Sequence, residues 1–155
     1  MAIQLAFSLC TSFAAAAPPE NDRFENAREI EGTAGREVSS NVEATREAGE
    51  PIHANVEGGS SVWWRWVAPG NGIAEIDTFG SKIDTILSVY TGTTIRQLSL
   101  IATNDDAESF QSRVLFSAME GTTYYIAVDG YFGEEGSIVL NWNLSEPVLC
   151  RDPPR

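Results

Sequence analysis

Seven short segments, each rich in β-branched or aromatic residues and about ten residues apart, leave little choice of fold for this chain. They are residues 62–68 (VWWRWVA), 73–79 (IAEIDTF), 85–91 (TILSVYT), 97–103 (QLSLIAT), 112–118 (SRVLFSA), 122–128 (TTYYIAV) and 137–144 (SIVLNWNL), with a weaker strand near 36–41. Turn residues separate them, and no long helical period intervenes. The pattern predicts an all-β fold, an antiparallel, jelly-roll-like β-sandwich of seven to eight strands. Before the strands, Asn21 or Asp22 is placed to cap a short turn of helix that carries Phe24, Ala27 and Ile30 inward.

At 155 residues, 43% of them hydrophobic, the chain has room for one core. Residues 1–17, MAIQLAFSLCTSFAAAA, are uncharged and end in small residues, as a secretory signal peptide does, and are set apart from the fold. The apolar run before Pro18-Pro19 is too short for a membrane span, with only about 15 residues where about 20 are needed. The module is assigned to residues 18–145 and a linker or tail to 146–155. A chain that loses Cys10 with the signal keeps Cys150 alone and forms no internal disulfide. Secretion, or display at the cell surface, is the expected localisation.

A net charge of −12, with 22 acidic against 10 basic residues, argues against nucleic-acid binding. Enzymatic constellations are also missing. The single histidine, His53, rules out HExxH and any histidine cage, and no GxSxG, Walker loop or CxxC occurs. A surface-loop histidine is the expected role of His53. The chain is expected not to be an enzyme.

Several stretches, in order, resemble the bacterial pre-peptidase C-terminal domain family in its tryptophan-rich, tandem-module variant. They are ENDRFENA, GGSSVWWRWVAPGNG, FGSKIDTILSVYTG, ATNDDAES and AMEGTTYYIAVDGYFGEEGSIVLNW. The resemblance implies a jelly-roll-like sandwich that serves secreted peptidases and other exoproteins as an accessory, substrate-binding or spacer domain without catalytic activity. It also implies calcium at Glu20, Asn21 and Asp22, although Gly58, Gly59, Ser60 and Ser61 replace the aspartates that relatives carry before the aromatic strand. The partners expected are neighbouring domains of a longer chain and an extracellular polysaccharide or protein ligand. The alternatives are a structural spacer repeat of a calcium-dependent adhesin and a small extracellular hydrolase.

Two sites follow from the residues themselves. Alternation along 62–68 puts Val62, Trp64 and Trp66 on one face and Trp63, Arg65 and Val67 on the other. On that outer face Trp63 is either stacked under Arg65 or a neighbouring strand, or forms with Arg65 a platform for a sugar or peptide, and the same question arises at Tyr124 and Tyr125. Second, if PGNG, GTTIR and MEG each close a simple hairpin, the remaining loops gather at one acidic pole. Hairpin symmetry then sets Asp84 opposite Asn104 and Gln111 opposite Asp129. Asp84, Asn104, Asp105, Asp106 and Asp129 are the candidate calcium ligands, because crowded carboxylates suit a hard cation that takes six to eight oxygens. The alternative is a solvated rim in which Asp84 and Asp129 bond to loop amides.

Overall fold

The computed structural model describes residues 16–146; the signal segment, apart from its last two residues, and nearly all of the expected tail lie outside the described residues. Nine strands form two sheets: β1 Arg28–Ile30, β2 Ala34–Ser40, β3 Val62–Val67, β4 Gly72–Asp77, β5 Thr85–Thr91, β6 Ser99–Asn104, β7 Arg113–Ala118, β8 Thr123–Gly130 and β9 Ser137–Ser145. One sheet has the order β1-β3-β8-β5-β6 and the other β2-β9-β4-β7. All pairings are antiparallel except β1 with β3. The β-sandwich expected from the strand pattern is present, with nine strands in place of seven or eight. The extra one is β1, at only three residues too short to show a period. The expected opening helix is a single 3-10 turn, Phe24–Asn26, and Ile30 reaches the core from β1.

Only one of the three expected hairpins pairs as such. GTTIR joins β5 to β6, but PGNG carries the chain from β3 in one sheet to β4 in the other, and MEG carries it from β7 to β8. Tight turns thus serve as corners between layers, as a jelly roll requires. The β5–β6 connection turns about one residue later than position 94, and a bulge between Val89 and Tyr90 adds a further step, so Asn104 lies opposite Leu87 and not Asp84.

The main core fills the space between the sheets. Trp64 and Trp66 of β3, Leu87 and Val89 of β5, and Ile126 and Val128 of β8 face Ala74, Ile76, Val114, Phe116, Ile138 and Leu140. The five-stranded sheet is also covered on its other side. Phe24, Trp63, Tyr90 and Ala127 form a second buried cluster there, beneath the opening segment and a strap of residues 41–61 that lacks strand structure. β5 is therefore buried at six consecutive positions, Thr85 to Tyr90, as a strand covered on both faces must be.

Polar bonds fasten the strap. Buried Asn41 donates to the carbonyls of Ser60 and Glu134 and accepts from the Gly136 N–H. The Asp22 carboxylate receives the Thr45 hydroxyl at 3.1 Å. His53, buried and not at the surface as expected, bonds through Nδ1 to the Tyr90 hydroxyl at 2.8 Å and through Nε2 to Glu50 at 2.9 Å. The opening segment meets the start of β3, where the Trp63 N–H donates to the Asn21 carbonyl and the Asn21 amide donates to the Trp63 carbonyl. The chain leaves at the opposite end, where Ser145 lies beside Ile73 at the start of β4. Among the described residues no helix is long and apolar enough to cross a membrane.

Candidate functional site

The acidic pole is smaller than the sequence suggests. Asp84 precedes β5, and Asp105 and Asp106 follow β6, so antiparallel pairing brings all three to one end of the sheet. One carboxylate oxygen from each lies within 4.8 Å of the other two. An Oδ1 of both Asp84 and Asp105 is shielded from solvent and has no hydrogen-bond donor. Burial, and then the charges of Asp106, Asp105 and Glu134, push the Asp84 carboxyl above its ordinary value. Asp105 is raised by burial and by Asp106. Lone acceptors sheltered from water, held among like charges, are costly unless a cation or proton joins them.

Two expected ligands do other work. The Asn104 side chain braces the loop, accepting the Arg113 N–H at 3.0 Å and donating to the Asp106 carbonyl at 3.2 Å. Asp129 does not join the cluster. Hairpin symmetry had placed it there, but β7 and β8 lie in different sheets, and Asp129 stands opposite Ile86 under the strap. Its buried carboxylate accepts the N–H groups of Gly59 at 3.0 Å, Ser60 at 2.9 Å and Gly130 at 2.8 Å. Gly58 makes this possible, because a Cβ there would sit 1.8 Å from Asp129 Oδ2. The GGSS stretch is thus an anion-receiving loop, filled from within by Asp129.

At the opening motif, Asn21 and Asp22 are buried and engaged with Trp63 and Thr45, while Glu20 is exposed. Asn21 and Asp22 fasten the chain, while the Asn21 Oδ1 is itself shielded from solvent and has no donor.

The platform is also revised. Alternation is as expected, with Trp64 and Trp66 inward and Trp63 and Arg65 outward, yet Trp63 is 0% exposed. Phe24, His53 and Tyr90 cover it, with ring centroids at 5.3, 5.6 and 6.1 Å. Trp63 presents no face to a ligand. The outward tyrosine, Tyr125, is half-buried and stands beside Arg65 on the neighbouring strand, while Tyr124 turns into the core. Tyr125 and Arg65 line a cleft of about 550 Å³ beyond the edge of the strap, between the 3-10 turn at Phe24 and the connection at Thr93 to Ile95. Phe24 stacks on Tyr125 at 4.4 Å. Glu25 and Glu47 border the opening, and Arg65 is paired with Glu29 at 2.8 Å. Alternation at Tyr124 and Tyr125 marked one side of this cleft; the other walls come from segments without a period.

These sites belong to a two-sheet β-sandwich whose five-stranded sheet is covered on its outer side by a strap. No family model matches the chain, and no curated protein matches it. Among solved structures, it is similar to PliG from Aeromonas hydrophila, a periplasmic lysozyme inhibitor of g-type lysozyme. The identity is 14%, over 77% of this chain and 96% of that one, with a TM-score of 0.50. It is also similar to the pre-peptidase C-terminal domain of collagenase from Bacillus anthracis, at 14% identity over 84% and 100% of the two chains, with a TM-score of 0.48. At such an identity the likeness to the inhibitor is one of fold alone.

Proposed function

We propose that this chain is a non-catalytic accessory module of a larger extracellular bacterial protein, of pre-peptidase C-terminal type, with its acidic pole stiffened by calcium. The observation that carries the calcium reading is the pair of sheltered, donorless oxygens of Asp84 and Asp105 beside Asp106. Three carboxylates supply hard oxygen donors to a cation that completes its shell with water. Asp84, Asp105 and Asp106 would hold it, and Asn104 would hold the loop. Calcium there would tie the start of β5 to the loop after β6, a structural service with no chemical step.

The absence of catalysis is supported by the state of the chain's one histidine, whose two ring nitrogens are both engaged in the interior. Neighbouring domains of the same chain are the natural partners, outside the cell or on its surface. Titration calorimetry of metal-free protein with calcium, with melts in calcium and in chelator, tests the site. Heat of binding and a higher melting temperature in calcium are expected. No heat and no change in melting would refute it.

A further inference from the structure

The cleft beside Tyr125 has a chemistry that neither the calcium reading nor the accessory role uses. Its floor is aromatic, from Tyr125 stacked with Phe24, and Ile95 adds an apolar wall. Among the described residues the only cation lining it, Arg65, is already paired with Glu29, while Glu25 and Glu47 stand at the rim. Glu47 uses one oxygen to accept the Phe24 N–H at 2.6 Å, which fixes its carboxylate at the edge of the cleft. Glu25 is solvated and has only a long contact of 3.8 Å with Arg23. An aromatic floor below carboxylates attracts a cation that also carries apolar length. The chain's net charge of −12 favours the approach of basic ligands.

We propose that this cleft takes a lysine or arginine side chain presented by an extended segment of another protein. The aliphatic stem lies along Ile95 and Phe24, the charged head meets Tyr125 and the carboxylates of Glu25 and Glu47, and the Thr93 and Thr94 hydroxyls offer bonds to the passing backbone. A volume of about 550 Å³ suits one long side chain and its flanking residues. A uronic-acid or phosphate-bearing polymer is disfavoured by the same carboxylates.

The test is amide NMR of the labelled full chain titrated with a capped Ser-Pro-Lys-Pro-Ser peptide, its norleucine counterpart and a neutral chitin oligosaccharide. Saturable shifts at Arg65, Thr94, Ile95 and Tyr125 are expected with the lysine peptide and not with norleucine. Glu25→Gln, a solvated position, should weaken binding, and Tyr125→Leu should weaken it about two- to fivefold, the worth of a partly exposed cation–π contact. Glu108→Gln, the same charge change at an exposed position in the loop after β6, at the other end of the sheet from Thr93 to Ile95, should leave it unaltered. Equal binding of the norleucine peptide would overturn the proposal. So would shifts confined to the acidic pole, no shifts at all, or cleft shifts produced by the oligosaccharide alone. Chelator should not alter peptide binding, so failure here and failure of the calcium reading are separate results.

Discussion

Trp63→Ala is the substitution on which the two views of the tryptophan strand differ most. A tryptophan on an open outer face costs little to remove. Here the ring is 0% exposed and sits in an aromatic box of Phe24, His53 and Tyr90. Truncation of a buried tryptophan costs about 3–5 kcal/mol, and the edge-to-face contact with Phe24 adds to what is lost. The cover is a loop strap and can settle partly into the space, so about 4 kcal/mol is expected, close to the cost of Trp64→Ala. At roughly 3–5 °C per kcal/mol for a domain of this size, the melting temperature should fall by roughly 12–20 °C. Trp63→Phe should cost far less, about 1–2 kcal/mol, because it also removes a buried indole N–H that has no partner. Urea unfolding followed by circular dichroism measures all three. A Trp63→Ala loss below about 1.5 kcal/mol beside a full loss for Trp64→Ala would refute the covered face.

In chelator, Asp84→Asn should raise the melting temperature at neutral pH and abolish the response to calcium. A carboxyl raised in the folded state favours folding only while protonated; that contribution is complete below its ordinary 3.8 and lost as pH rises through the higher folded value. The advantage of Asp84→Asn should therefore shrink as melts are repeated toward pH 4. Asp129→Ala strands the N–H groups of Gly59, Ser60 and Gly130 and should cost about 3 kcal/mol in urea melts. Its calcium affinity, by calorimetry, should match that of the parent protein.

The strands were readable because their composition and turns are local signals. Thr85–Thr91 is bounded as expected, and most others lie within one or two residues. Which strands share a sheet was not readable, since PGNG and MEG have the composition of hairpin turns yet act as corners. That error displaced Asp129, which hairpin symmetry sent to the wrong loop. Asp84, Asp105 and Asp106 survived because they flank the one true hairpin, despite its bulge. The strap escaped notice for a different reason. Residues 41–61 have neither period, and their grip depends on single polar side chains, Asn41 and His53, whose partners are distant in sequence. Without the strap in view, the second face of β3 could not be known as interior, and the cleft at its edge had no visible walls.

The positions at which the chain enters and leaves decide how it would carry force. It enters beside Trp63, at the start of β3, and leaves beyond Ser145, beside Ile73 at the other end of the sandwich. Tension through flanking domains would draw β9 along its own axis past β2 and β4, both antiparallel to it. Their rungs would bear the load together and slide in shear, where a chain with both ends at one pole would unzip them singly. Placed in a row of similar units, the module would act as a link that stretches little before it yields.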